Sequence, residues 1–317
     1  MKKMRNSIAA NTGGFQAEKG FTLVEVLISM VVATVLIGAI YSSYVVQQKA
    51  YNVQRDLARM ENCLRASMQI IRSDLLNSGR SEAMDGQYGV MDGRRYNQLN
   101  FNTLDATANG FQGITLTMAM DLGNADTGDP IPDAKADYLD PAALRTIQYR
   151  LIDTNNDGRR KLYRFDSQAP AAANDPVVGG TLLCDCIDDI GFAFSIDREN
   201  DEVIDRVNIA PNPTSVIWAA DVNNDGKLDT NLDSDGSGTI TPADAGGVNI
   251  APVSMSSVRS VYIWLLARSS QRDLNYHDGK VYQVGLKTID PDLDNTANFR
   301  RMLLSSTVTL RNRERKP

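Results

Sequence analysis

Residues 233–244 read Asp-Ser-Asp-Gly-Ser-Gly-Thr-Ile-Thr-Pro-Ala-Asp. Counted from Asp233, the ligand positions of a twelve-residue calcium loop fall on Asp233, Asp235, Ser237, Thr239, Thr241 and Asp244. Gly238 takes the sharp turn at the sixth position, and Ile240 takes the apolar eighth. Hard oxygen donors at these spacings can wrap one Ca²⁺, with Thr239 giving its backbone carbonyl. Asp244 closes the loop with a shorter arm than the usual Glu. Just upstream, residues 221–229 match the first nine positions of the same pattern, through Asp221, Asn223, Asp225, Lys227 and Asp229. Its twelfth position is Leu232, so the closing acid would be Asp229 or Asp233. Either one or two Ca²⁺ ions bind here, or the segment is a pair of solvated Asp/Asn/Gly turns, which these residues also form. A third match begins at Asp153, but its twelfth position is Arg164, and a hairpin turn suits it better.

Two loops in tandem without evident flanking helices resemble those of dockerins and thrombospondin type 3 repeats more than an EF-hand. Calcium would lock this acidic insertion, 221–244, into one shape by offsetting carboxylate repulsion. The remaining reactive residues offer less. The single histidine, His277, sits beside Asp278-Gly279 and decorates a turn. Cys63, Cys184 and Cys186 are too few for a disulfide scaffold and wrongly spaced for structural zinc. No Gly-x-Ser-x-Gly, His-Glu-x-x-His, phosphate-binding glycine loop or paired catalytic constellation is present. The chain reads as a non-enzyme.

Composition agrees with a folded protein: 42% hydrophobic and 23% charged among 317 residues. A net charge of −6 argues against a nucleic-acid partner.

The N-terminus carries the strongest signal. From Phe21 to Val46 the only acidic or basic side chain is Glu25, and the run is long enough to cross a bilayer. Lys2, Lys3, Arg5 and Lys19 precede it against the single acid Glu18, which keeps that end cytoplasmic and sends the rest across. A glycine, Gly20, lies between the charges and the apolar run, so cleavage there would retain the greasy segment. An ordinary signal peptide is cut after its apolar core. The string Lys19-Gly20-Phe21-Thr22-Leu23-Val24-Glu25 resembles the signal of type IV prepilins and type II secretion pseudopilins.

That resemblance implies a cytoplasmic leader at 1–20, removed by prepilin peptidase after Gly20, with methylation of the Phe21 amine. It implies that Glu25 recruits the N-terminal amine of a neighbouring subunit during assembly. The plain alternative is an interfacial glutamate that reaches water. Removing the leader leaves 29 basic and 38 acidic residues, a charge of −9.

The elements that position these residues follow from periodicity. Residues 21–46 form a transmembrane or filament-core helix. Val53, Leu57, Met60, Leu64, Ser67/Met68, Ile71 and Leu75 then recur at three- and four-residue steps, continuing it as an amphipathic helix over 47–79. Asn77-Ser78-Gly79 supplies the stop. Beyond it the period becomes two, predicting strands at 98–101, 114–120, 146–151, 161–165, 190–196, 258–267, 280–284 and 302–310. Loops are predicted at 123–141, 168–180 and 208–252. The fold class is α+β: one long helix packed on an antiparallel β-sheet head, 80–317, with long insertions. On the oxidising side of the membrane a bridge from Cys63 to Cys184 or Cys186 would staple helix to sheet. A Cys184–Cys186 bridge would be strained, and all three can instead be reduced.

Three internal strings, Ile147-Gln148-Tyr149-Arg150-Leu151, Lys161-Leu162-Tyr163-Arg164 and Val261-Tyr262-Ile263-Trp264-Leu265-Leu266-Ala267-Arg268-Ser269, look like minor pilins of the PilW type. So does the stretch from Phe299 to Asn312. J-type pseudopilins of type II secretion share the architecture. The resemblance implies a low-copy type IV pilus subunit that primes assembly or sits at the tip. Its partners would be other minor and major pilins through the helix, prepilin peptidase and the inner-membrane assembly platform. It would be anchored in the inner membrane with a periplasmic head, then extracellular. A calcium-dependent adhesin on a pilin stalk is a further class.

Overall fold

The computed structural model describes residues 20–77, 90–91, 94–95, 100–104, 113–120, 145–154, 159–166, 179–199, 201, 203–209, 212–222, 227–254 and 257–310. The predicted leader therefore lies outside the described residues, apart from Gly20. The chain divides into two compact units, Met1–Gln54 and Arg55–Pro317. A helix, α1, runs over Leu23–Asn77 and contributes to both.

Over residues 23–46, within the first unit, α1 is apolar on every side. Val31, Val35, Leu36, Ile40 and Tyr41 are all more than three-fifths exposed apart from Leu36 at 57%. No single buried stripe exists there, which is the pattern of a helix whose solvent is lipid or other helices. Among the described residues it is long and apolar enough to cross a membrane.

In the second unit the same helix carries one buried stripe: Met60, Leu64, Ser67, Met68, Ile71, Asp74 and Leu75. This stripe covers one face of an antiparallel sheet. The strands are β1 (Val90–Met91), β2 (Arg94–Arg95), β3 (Asn100–Leu104), β4 (Gly113–Met120), β5 (Arg145–Ile152) and β6 (Arg160–Asp166). They continue as β7 (Gly180–Ile196), β8 (Arg206–Ile209), β9 (Asn212–Val216), β10 (Trp218–Ala220), β11 (Lys227–Asn231) and β12 (Val248–Ser254). The last are β13 (Val258–Arg268), β14 (Tyr282–Val284), β15 (Lys287–Ile289) and β16 (Arg301–Thr309). The main sheet runs β12-β11-β10-β7-β6-β5-β4-β3, and β13 joins β7 to β16. The pairs β1–β2, β8–β9 and β14–β15 are separate hairpins. The observed class is α+β, as the periodicity predicts.

Seventeen-residue β7 organises the sheet because it has three partners. It pairs with β6 at Gly180–Ile187, with β13 from Ile187 to Ile196, and with β10 at Phe194 and Ser195. Alternation along β13 sends Val261, Ile263, Leu265 and Ala267 to the helix side, and Trp264 and Leu266 to the other. On that second face Trp218, Tyr262 and Trp264 stack in sequence, at ring separations of 5.2 and 4.1 Å. The β14–β15 hairpin closes over it. A side chain at Gly191 would meet the backbone of Gly285 and Val284 at 2.5 Å, so only glycine allows that approach.

The predicted loop at 208–252 is corrected: it holds β9, β10, β11 and β12. β9 and β11 carry Asn, Pro, Thr, Lys or Asp, β10 has only three residues, and β12 contains a proline, so no period-two run marked them. Likewise β7 begins at Gly180, not Ile190, which places Cys184 and Cys186 within a strand. The predicted loop at 123–141 lies outside the described residues. β5 and β6, which flank the turn predicted from Asp153, pair antiparallel, and residues 155–158 between them lie outside the described residues.

Candidate functional site

Phe21 is exposed just ahead of α1. Thr22 caps the helix: the Thr22 amide donates to Glu25 Oε2 at 2.9 Å, and the Glu25 amide donates to Thr22 Oγ1 at 3.3 Å. This reciprocal capping box satisfies two of the orphan amides of the first turn. Thr22 Oγ1 also donates to Glu25 Oε2 at 3.0 Å. Glu25 is therefore positioned by its own chain, at the positive end of the helix dipole.

The acidic loop joins β11 to β12 at one end of the sheet. Its base is fixed by Asn231, whose Nδ2 donates to the Asp233 carbonyl at 2.9 Å and whose Oδ1 accepts the Trp218 amide at 3.0 Å. The loop then turns through Gly236 and Gly238, both at positive φ (66° and 81°), a region open to glycine at little cost. Asp233 is fully buried. Its Oδ2 accepts the Gly238 amide at 2.9 Å, while its Oδ1 has no partner. One oxygen each of Asp233, Asp235 and Asp244 lies within 4.8 Å of the others.

The three carboxylates differ in how they are held. Burial pushes the Asp233 carboxyl up, and the negative charges of Asp235 and Asp244 push it further, against the Gly238 amide. Burial also raises Asp244, but donors from Thr241 and Ser234 outweigh it and hold that carboxyl below the usual range. Asp244 Oδ1 accepts the Ser234 amide and hydroxyl at 2.9 and 2.8 Å, and Oδ2 accepts the Thr241 amide and hydroxyl at 2.9 and 3.0 Å. Asp235 is exposed and accepts the Ser237 amide at 2.8 Å. Ser237 Oγ donates to the Thr239 carbonyl at 3.0 Å.

The upstream loop is less complete. Asn223 and Asp225 lie outside the described residues. Asp221 is half-buried, and Lys227 is exposed at the start of β11. Asp229 Oδ1 accepts the Val222 amide at 3.3 Å and the Thr230 hydroxyl at 3.0 Å, closing the loop on itself. Asp229 is not in the carboxylate cluster with Asp233.

Cys63 and Cys184 form a disulfide between α1 and β7. Cys186 is free, with its sulfur 3.4 Å from that of Cys184. Burial, and then the Asp185 charge, push the Cys186 thiol up to about 11, with Arg59 opposing. His277 is exposed beside Asp292 at 3.3 Å.

Two buried ionic clusters escape sequence reasoning. Asp74 of α1 meets Arg164 and Tyr149, and burial followed by the Asp74 charge pushes the Tyr149 phenol upward. Arg301 bonds Asp188 at 2.8 Å and Asp278 at 3.4 Å, while Lys287 bonds Asp189 at 2.7 Å. Spacing cannot flag these, because the partners are tens to a hundred residues apart.

Comparison with known proteins gives three findings. Residues 149–312, just over half of the chain, match the family model described as type IV pilus-assembly protein W. Residues 16–41 match the prokaryotic N-terminal methylation motif, which spans Gly20, Phe21 and Glu25. A type IV-like pilin from Thermus thermophilus is similar in structure at 12% identity, covering 81% of this chain and 100% of that chain, with a TM-score of 0.33. No curated protein matches the chain.

Proposed function

The chain belongs to the type IV pilus-assembly protein W family, and on that premise we propose that it is a minor pilin, a low-copy subunit that primes assembly of a type IV pilus or sits at its tip. Family membership makes it a structural pilus component rather than an enzyme. The N-terminal methylation motif and the apolar helix behind it fit a membrane-anchored pilin.

The observation that carries the finer reading is the stretch 23–46 of α1, apolar on every side and beginning within the methylation motif. Such a helix is stable in hydrocarbon and equally stable among other apolar helices, so it suits first a bilayer and then a fibre core. In the proposed route the leader stays cytoplasmic and the head enters the periplasm. Prepilin peptidase cuts after Gly20 and methylates Phe21. The inner-membrane assembly platform then lifts the subunit, and Glu25 accepts the amine of a neighbouring pilin. Other minor and major pilins contact it through α1, and bound Ca²⁺ stabilises the head.

Mass spectrometry of the mature N-terminus, with immunoblots of sheared pili, tests the reading. The expected result is N-methylphenylalanine at Phe21 and a trace amount of the chain in the pilus fraction, with fewer pili when the gene is deleted. An intact leader, or a cut beyond Val46, overturns it.

A further inference from the structure

The cation-stabilised head proposed above leaves open where the ion sits and what it controls; the inference here rests on that reading and specifies both. We propose that residues 233–244 form one Ca²⁺ site, with Asp233 Oδ1 and Asp235 as its carboxylate ligands and Asp244 as a braced third charge, and that the bound ion orders the β11–β12 edge of the sheet.

An acidic cluster alone would not carry this. The deciding observation is a fully buried carboxylate with one oxygen left over: Asp233 Oδ2 takes the Gly238 amide, and Oδ1 has no hydrogen-bond partner. A buried anionic oxygen without a donor is costly, so such atoms are paired or bind metal. Asp233, Asp235 and Asp244 have no cationic side chain paired with them among the described residues.

The spacing fits one shared ion. Ca²⁺–oxygen distances of about 2.3–2.6 Å allow two ligands of one ion to stand up to about 5 Å apart. Here one oxygen from each of the three carboxylates lies within 4.8 Å of the others. Ser237 Oγ and the Thr239 carbonyl add neutral oxygen donors on the same loop. The donors are all oxygen, without Cys or His, which favours Ca²⁺ over zinc, and a flexible glycine loop favours it over octahedral Mg²⁺.

The site is built onto the sheet. Asn231 ties its start to β10, and the Gly247 amide donates to the Asp244 carbonyl at 3.0 Å just before β12. Gly247 packs so closely on the Asn231 carbonyl that a side chain there would lie 2.6 Å from it. An ion drawing Asp233, Asp235 and Asp244 together therefore holds β11 against β12, the terminal strand of the main ladder.

The test uses the full chain in detergent micelles. Melting temperature is followed from EDTA into increasing CaCl₂, with MgCl₂ as a control, together with hydrogen exchange. The expected result is a rise with a midpoint at about 10⁻⁴–10⁻³ M Ca²⁺, with slowed exchange confined to 227–254. Asp235→Asn, at an exposed position that tolerates substitution, should raise the midpoint at least tenfold, as should Asp233→Asn. Asp229→Asn should leave it unchanged. No response to Ca²⁺, an unaltered midpoint in both variants, or a loss on Asp229→Asn alone overturns the site. Ion binding in micelles does not require processing at Gly20, so failure here is separable from failure of the minor-pilin reading.

Discussion

Asp74, near the end of α1, accepts Arg164 Nε of β6 at 2.7 Å and shares its carboxylate with the hydroxyl of Tyr149 on β5. Helix and sheet are thus registered by a largely buried charge, not only by apolar contact. A slip of the helix by one turn would strand both ions in the core.

Removing one partner should be expensive for that reason. Arg164→Met is expected to destabilise the head by about 3 kcal/mol, because an uncompensated buried carboxylate remains. Asp74→Leu with Arg164→Met together should cost less than the sum of the two single changes. Thermal melts of all three variants check this, and strict additivity would count against the coupling.

The disulfide is expected to matter through the size of the loop it closes. Cys63 and Cys184 are 121 residues apart, and chain-entropy arguments put such a closure at about 4–5 kcal/mol. Cys63→Ser should therefore lower the melting temperature markedly under non-reducing conditions. Cys186 behaves oppositely: with its thiol pushed up to about 11, little thiolate exists at pH 7. Alkylation of Cys186 should be slow at pH 7 and accelerate about tenfold per pH unit toward pH 11. Rapid labelling at pH 7 would contradict the burial seen here.

Glu25 caps its own helix, and substitution can test the assembly role proposed for it. Glu25→Gln keeps an oxygen able to accept the Thr22 amide but removes the charge. Under the minor-pilin reading it should lower incorporation into sheared pili as severely as Glu25→Ala. Thr22→Ala, which costs only about 1 kcal/mol of capping, should be milder. Equal incorporation of Glu25→Gln and the native chain would confine Glu25 to capping.

Gly191→Ala tests the second face of the sheet. The added methyl would collide with backbone of the β14–β15 turn at 2.5 Å, where no side chain can swing aside. The expected cost is about 1–3 kcal/mol, with red-shifted emission as Trp264 loses its cover. A variant with native emission and stability would show that the hairpin moves freely.

The helix was legible because its signals are local. The apolar run from Phe21 and the stripe from Met60 to Leu75 both lie within a few residues of what they determine. Strands β5, β6, β13 and β16 were legible for the same reason, since alternation on a half-covered sheet leaves a period of two. β7 was only half legible. Asp188 and Asp189 interrupt its apolar run, and they are sheltered by Arg301, Arg268 and Lys287, which arrive from distant strands. In the acidic loop the ligand spacing was visible, but the burial of Asp233 was not. Asn231, which bonds the Asp233 carbonyl and the Trp218 amide, belongs to no calcium-loop pattern.

The covalent link between Cys63 and Cys184 also sets the route by which tension crosses the head. A pull delivered along α1 leaves the helix at Cys63 and reaches β7 through sulfur, bypassing everything in between. Strands β1 to β6 lie in that bypassed stretch. They can be stretched only if the disulfide is broken chemically, so a pull on α1 would strain β7 and its partners β10 and β13 first.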